Sequence, residues 1–586
     1  MRTPILFISL FILSCQNEHQ NLLAPSENLQ QIFQKYQEFI HQEFPTVADS
    51  IFDHLPSMAE GDIKHRAEFT QSMLNQLQTI DINQLTDQEV ISLELFKFVQ
   101  QNLSESYHFK SHLNPLLVDG GFHISFAFIP SQYQFQNTKD YKNYLKVLSD
   151  FPRYTKEHIL MLKKGLKQGI SLPKIVLKGY ETTFDMHVVE NPEESIFFHP
   201  FRKLPETMAV EDRESLRKEA RKVIMDSVVE GYSLFSEFMK TDYMVNTRSS
   251  LGASELPNGT EYYQQRIHYY TTLDLSADSI HRLGLEEVAR IRIEMDQIIK
   301  NLDYKGSFED FLSFLRTDPQ FFADTPDELL KEAAYIAKRM DGQLPEFFGK
   351  LPRQPYTVNP VPNHLAAKYT AGRYVSAPIN SKNSGQYWVN TYDLPTRTLY
   401  TLESLTLHEA VPGHHLQNAL SAELDLPEFR RNLYLSAFGE GWGLYSEFLG
   451  IEAGFYTDPY SNFGRLTYEM WRACRLVVDT GIHSKGWTRQ EVIDYMTENT
   501  ALSIHEITTE TDRYIAWPAQ ALSYKIGEIK IKQLRKKAEQ ILGQSFDIRE
   551  FHDLILSNGT VTLEILEGMV NQYLEEKTYE EAQKAL

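Results

Sequence analysis

A chain of 586 residues and 68.0 kDa, 42% hydrophobic and 12% aromatic, buries a large core and is globular, not a tail or linker. Its 58 Lys and Arg face 79 Asp and Glu, a formal charge of -21, which argues against a phosphate-tracking surface and so against nucleic acid as a partner.

The chain opens MRTPILFISLFILSCQNEHQ: one Arg, an apolar run from Ile5 to Leu13, then Ser14-Cys15. That run is too short to span a bilayer but has the length of a signal-peptide core, and a small residue stands just before the cysteine. Ile12-Leu13-Ser14-Cys15 resembles a bacterial lipobox. The expectation is a signal over residues 1–14, removed to leave Cys15 as the lipidated first residue, with the protein anchored to the membrane instead of spanning it. This places it at the bacterial cell envelope, periplasmic or at the cell surface. An ordinary secretory signal with an incidental cysteine is the alternative. With Cys15 used, Cys474 alone remains, so no intrachain disulfide is available, and its setting in YEMWRACRLVV predicts a packed helix thiol.

A polar tether is expected over 15–30, followed by one long helical domain over 31–586. Segments such as NLQQIFQKYQEFIHQEF, DQEVISLELFKFVQQNL and ESLRKEARKVIMDSVVEGYSLFSEFMK place apolar residues at three- and four-residue intervals between charged faces. No fixed-period repeat or low-complexity block divides the chain. The Pro-rich stretch LPRQPYTVNPVPNH, 351–364, is the strongest internal punctuation and reads as a lobe junction. After it, GRYVSAPINSKNSGQYWVNTYDLP is rich in β-branched and aromatic residues broken by Gly, Asn and Ser. It predicts a hairpin whose second strand is Gln386–Thr391. That strand either holds an extended substrate by strand addition, with Asn390 in reach of it, or simply covers the core.

LTLHEAVPGHHLQ, 405–417, comes next and carries three histidines and a glutamate. Zinc peptidases bind the metal through H-E-x-x-H, because residues four apart share a helix face. Here the second histidine comes two or three positions late. On a straight helix His408 and His415 lie on nearly one face, about 700° apart in phase, but ~10 Å apart along the axis, while His408 and His414 point roughly 120° apart. An undistorted helix therefore binds nothing. Pro412, which cannot donate to the His408 carbonyl, and Gly413 supply a distortion, so that HEAVPGH reads as H-E-x-x-H with two residues inserted. A third ligand is available in LYLSAFGEGWGLYSEFLG: Glu440, flanked by glycines in an apolar segment, needs a cation if buried. An Arg such as Arg472 or Arg475 is the other way to satisfy it.

HEAxPGHHLQ at His408–Gln417, EGWxLYxE at Glu440–Glu447, RLVVDTGxHxxGWT at Arg475–Thr488 and PxQALSYKIG at Pro518–Gly527 resemble the signature blocks of the bacterial domain of unknown function 885 family. That family is similar in fold to thermostable carboxypeptidase Taq, and more distantly to thimet-type oligopeptidases. The resemblance implies a mostly α, two-lobed zinc peptidase around a deep channel, with a small hairpin or sheet beside the site. It implies Zn2+ held by His408, Glu440 and either His414 or His415; Glu440 matches the family's spacing when His414 is the second ligand. Glu409 is then the general base. Tyr524, His483 and Tyr514 are candidate donors to an oxyanion, with Tyr524 favoured, Asp479 a candidate to hold a ligand imidazole, and Arg513 a candidate to receive a peptide carboxylate. The pair His505-Glu506 has no partner histidine nearby and is set aside. The expected function is hydrolysis of short peptides by metal-activated water. A zinc hydrolase of a non-peptide amide or ester, and a surface lipoprotein that binds without catalysis, are the alternatives.

Overall fold

The structure is a computed structural model that describes residues 24–45, 52–366, 369–377 and 382–585. Cys15 and the signal lie outside the described residues. The first described helix, Pro25–Glu43, opens with proline in its first turn and lies partly inside the stretch expected as tether. No described helix is long and apolar enough to cross a membrane.

The chain is mostly helical, with one small sheet. The elements that position the site are β1 Tyr356–Pro360, β2 Gly372–Val375 and β3 Gly385–Val389, with helices α1 Ala277–Asn301, α2 Leu402–Glu409, α3 His414–Ala422, α4 Ser436–Glu452, α5 Pro459–Lys485, α6 Ile504–Ala516 and α7 Ser523–Leu542. The expected hairpin is present as β2 and β3, antiparallel with Tyr374 opposite Tyr387, and its second strand ends at Val389. The sequence did not disclose the third strand. The Pro-rich stretch read as a junction contributes β1, parallel to β3 and pairing Tyr356 with Gly385, so β3 is central and β1 and β2 are edges. Prolines at and beside its ends are compatible with an edge, where a missing N–H costs no ladder bond.

Helix α5 is the axis of the molecule. From Phe463 to His483 every side chain except Trp471 is buried. Phe463, Leu466, Met470, Cys474 and Val477 belong to a hydrophobic cluster shared with the N-terminal half, while Tyr468 and Leu476 join a second cluster with the sheet and the C-terminal helices. Cys474 is buried and free, and burial pushes its thiol up, as expected of a packing residue.

Two close helix contacts fix the frame. Gly284 of α1 meets α5, where a Cβ would stand 2.7 Å from that of Leu476. On α4, Gly441 faces Gly527 of α7, and a Cβ at Gly441 would stand 2.5 Å from the Gly527 Cα. Backbone contact this close tolerates no side chain. A buried ion cluster ties α1, α5 and α7: Lys525 Nζ lies 2.8 Å from Glu469, 2.6 Å from Glu528 and 3.1 Å from Glu287, and Arg290 reaches both Glu469 and Glu287. Gly527→Val should force α4 and α7 apart and destabilise the protein by about 1–3 kcal/mol or more, the usual cost of overpacking. A thermal melt checks this, and an unchanged midpoint would show that the helices have room to separate.

Candidate metal centre

The first question at the site is how the inserted Pro-Gly is accommodated. Helix α2 ends at Glu409 because residue 412, a proline, cannot return a hydrogen bond to the His408 carbonyl. A wide turn follows in which Gly413 N–H donates to Leu407 O at 3.0 Å and His415 N–H to Ala410 O at 3.0 Å. The Val411–Pro412 peptide is cis, and the Pro412 carbonyl accepts from Trp442 Nε1 at 2.9 Å. A Cβ on Gly413 would overlap the His408 carbonyl, so only glycine fits. The distortion expected as a bulge or kink is a complete break, and α3 begins afresh at His414.

The break turns His414 back toward His408. Their ring centroids lie 4.7 Å apart at 88°, and each Nε2 stands 3.4 Å from Glu440 Oε2. The three donor atoms fall within 4.8 Å of one another, and among the described residues this is the one such cluster of His, Cys, Asp and Glu. Donors about 2.0–2.1 Å from a common tetrahedral centre lie roughly 3.3–3.4 Å apart, so both measured separations suit a zinc-sized ion. His415 faces the other way: its Nδ1 meets the Tyr374 hydroxyl at 3.1 Å and its ring packs 4.5 Å from that of Tyr356. Of the two alternatives, His414 joins the cluster and His415 does not.

Two of the three ligand candidates, His408 and Glu440, are held from behind. His408 Nδ1 donates to Glu447 Oε1 at 2.7 Å, which leaves Nε2 aimed at Glu440. Glu447 is itself fixed by Ser404 Oγ at 2.5 Å and by Arg472 Nη2 at 3.5 Å. Beneath the ring lies Gly443, where a Cβ would stand 2.6 Å from His408 Cε1. Tyr434 donates to Glu440 Oε1 at 2.9 Å. The neighbouring base candidate Glu409 accepts the Tyr374 N–H of β2 at 2.7 Å, so its carboxylate is held between the helix and the unpaired edge of the strand. Arg373, next on β2, faces the same group. Against the pull of desolvation, Tyr369 and the carboxylates of Glu409 and Glu440 hold its guanidinium above its ordinary value. Tyr524, the favoured oxyanion donor, lies under Arg475, 4.3 Å from its guanidinium, and close enough to Tyr434 for charge on one phenol to be felt by the other.

Several sequence-derived roles are corrected. His483 has both nitrogens engaged with backbone, Nδ1 accepting from Ala253 N–H at 3.0 Å and Nε2 donating to Tyr514 O at 2.9 Å, and burial pushes it down to about 3. It has no donor left for an oxyanion. The Tyr514 hydroxyl accepts from Trp471 Nε1 and Arg475 Nε and bonds to the Glu510 carboxylate. Asp479 accepts from Tyr263 OH at 2.6 Å and Ala519 N–H at 3.1 Å, not from an imidazole, and burial raises it to about 7. Arg513 is paired with Glu510 and Gln520. Asn390 donates its amide to the carbonyls of Ala366, Tyr369 and Thr370, bracing the turn before β2. The imidazole-holding carboxylate that sequence reasoning assigned to Asp479 is Glu447. Its signal was present, since seven residues after Glu440 brings α4 back to within about 20° of the same face. Tyr434, Tyr374 and Arg373 carried no comparable signal.

The electrostatics of the metal-free cluster follow from these contacts. Burial alone would push His408 down, yet the carboxylates of Glu440 and Glu447 outweigh it and raise the imidazole to about 9. Glu440, despite its burial, is held well below the ordinary carboxylate range by His408 and His414, and Glu447 is lowered by Arg472 and His408. A raised histidine contributes stability that is fully present below its unfolded value of 6.5 and is lost as pH rises through about 9. The lowered carboxylates contribute above 4.5 and lose that contribution as pH falls. The metal-free protein should therefore lose melting temperature between about pH 7 and about pH 10, and His408→Gln should lose less over the same interval. Equal losses in the two proteins would show that His408 is not charged in the fold.

The fold recurs in solved structures. That of "the putative lipoprotein from Colwellia psychrerythraea" matches with TM-score 0.90 and 27% identity, covering 95% of this chain and 100% of that one. That of "a putative lipoprotein of unknown function from Shewanella oneidensis" matches with TM-score 0.69 and 18% identity over 92% of this chain and 99% of that one, a likeness of fold alone. No curated protein matches the chain. The profile of the bacterial proteins of unknown function DUF885 matches residues 46–570, and the chain belongs to that family.

Proposed function

We propose that the chain is a zinc-dependent hydrolase that cleaves peptides, tethered by a lipid on Cys15 at the bacterial cell envelope. The observation that carries this reading is the convergence of His408 Nε2 and His414 Nε2, each 3.4 Å from Glu440 Oε2, with Glu409 adjoining the first of them in sequence. Two imidazoles and one carboxylate would hold the ion and leave a position open, as catalytic sites do. When bound, zinc acidifies a water and polarises a carbonyl.

The remaining work belongs to the chain's own groups. Glu409, fixed by the Tyr374 N–H, takes the proton of the attacking water and returns it to the leaving amine. Glu447 fixes the His408 tautomer, a task whose loss typically costs 10–100-fold in metal affinity. Tyr434 orients Glu440 through its hydroxyl, and Tyr524, close to Tyr434, supplies the hydroxyl that stabilises the developing oxyanion. The outer edge of β2, which pairs with no further strand among the described residues, offers its remaining backbone groups to an extended peptide, which favours a peptide over another amide or ester. The two hydrophobic clusters that meet on α5 would form the two lobes beside a substrate channel. A module that only binds has no use for a carboxylate held beside a ligand set, which counts against the non-catalytic reading. The lipid anchor is supported by the lipobox-like Ile12-Leu13-Ser14-Cys15 and by the names of the two structural relatives.

Glu409→Gln should keep about one zinc per chain and lose peptide hydrolysis by ~10²-fold or more, whereas Glu440→Gln should lose both metal and activity. Metal analysis and a peptide-library assay on the same samples decide it: a fully active Glu409→Gln, or a fully loaded Glu440→Gln, removes that residue from the site. Cys15→Ser should move the protein from the membrane fraction to the soluble one with activity retained. Unchanged fractionation would refute the anchor.

A further inference from the structure

The pair His505-Glu506 is left unused by the metal cluster. Glu506 occupies the first turn of α6, where Ser503 caps the helix by accepting the Glu506 N–H at 3.2 Å. In such a Ser-x-x-Glu pattern the glutamate usually returns to the N–H of the capping residue. Thr488 and Glu491 complete that exchange elsewhere in the chain, but Glu506 does not. Its carboxylate accepts no hydrogen bond and joins no ion pair among the described residues; instead it lines a cavity of about 240 Å³.

The cavity is walled by Leu405, Val389, Ala371, Leu502 and Tyr468. Leu405 precedes Glu409 by one turn on the same face of α2, ~6 Å along the axis. Ala371 and Val389 adjoin the end of the hairpin that presents Arg373 and Tyr374. The space therefore borders the face of α2 that carries Glu409, one turn before it. Two arginines also border it. Arg316 donates to the carbonyls of Ala501 and Thr500 and Arg397 Nε to Tyr392 O, while the Glu506 carboxylate, which feels the charge of Arg397, has no hydrogen-bond or ion-pair partner among the described residues.

We propose that this cavity is a specificity pocket that takes a substrate side chain with an apolar stem and a cationic end, such as lysine or arginine, with Glu506 as its counter-ion. Burial and the neighbouring Glu510 carboxylate push Glu506 up to about 7 in spite of Arg397, Arg472 and Arg475. A bound cation would offset both. The consequence for turnover rests on the hydrolase reading, but binding of the cation does not.

The test uses butylguanidine, a stem with one cationic end, titrated by calorimetry into the metal-free and the zinc-loaded protein. Saturable binding should appear in both and weaken by about tenfold or more in Glu506→Gln, whose fold is checked by its melting curve. In parallel, kcat/KM for peptides with Lys or Arg beside the cleaved bond should fall in Glu506→Gln by a similar factor, with Leu peptides unchanged. No butylguanidine binding, binding indifferent to Glu506, or preferential binding of glutarate would overturn the pocket whether or not peptides are cleaved. Glu506-dependent binding in a protein that cleaves no peptide would uphold the pocket and sink the hydrolase reading instead.

Discussion

A stripe of polar and ionisable side chains buried inside α5 is the constraint on which the rest of the structure depends. Arg465, Glu469, Arg472, Arg475, Asp479 and His483 recur at three- and four-residue intervals along one side of a helix with almost no solvent contact. An isolated charge in such a place costs several kcal/mol or neutralises, so each member demands a partner from another element. Glu469 is met by Lys525 and Arg290, Arg472 by Glu447, Arg475 by Glu510, Asp479 by Tyr263 and Ala519, and His483 by Ala253 and Tyr514. The helices around α5 are thereby fixed in register as well as in place.

The candidate metal centre hangs from that stripe. Arg472 faces Glu447, Glu447 orients His408, and His408 meets Glu440, which sits on the same helix as Glu447. Helix α4 thus offers one carboxylate to the cluster and another to the ring behind it. Glycines let it do so at backbone distance, Gly443 under His408 and Gly441 against Gly527. Each glycine in a helix interior costs about 1 kcal/mol relative to alanine, a cost the packing has to offset. The benefit is geometric, because the imidazole and both carboxylates are held without slack.

The three-stranded sheet couples the same centre to the solvent side. Its edge strand spends one N–H on Glu409 and points Arg373 toward the acidic cluster, so base, cation and open backbone edge are set by one short strand. Behind the same helix face, the cavity lined by Glu506 adds a carboxylate with no hydrogen-bond partner among the described residues. Positive and negative groups therefore alternate around the site within a chain that is acidic overall.

The sequence alone determined the helical class, the β2–β3 hairpin and the packed Cys474, and it singled out His408, Glu409 and Glu440 as candidates, because periodicity and short-range spacing are local properties that survive in one dimension. It also located the distortion at Pro412-Gly413, since a missing N–H acts on the turn that contains it. It left His414 and His415 open, because adjacent residues differ only in direction, and direction after a helix break is set by what the new helix packs against. Asp479, His483 and Tyr514 looked catalytic for a related reason. Polar residues at helical spacing in a segment that matches a signature block invite a chemical role, and only the surrounding helices reveal that their donors and acceptors are consumed by Tyr263, Ala253, Ala519, Trp471 and Arg475. The partners that do hold the cluster, Tyr434, Tyr374 and Arg472, reach it through close packing of separate segments, which no local pattern encodes and which the tertiary structure alone decides.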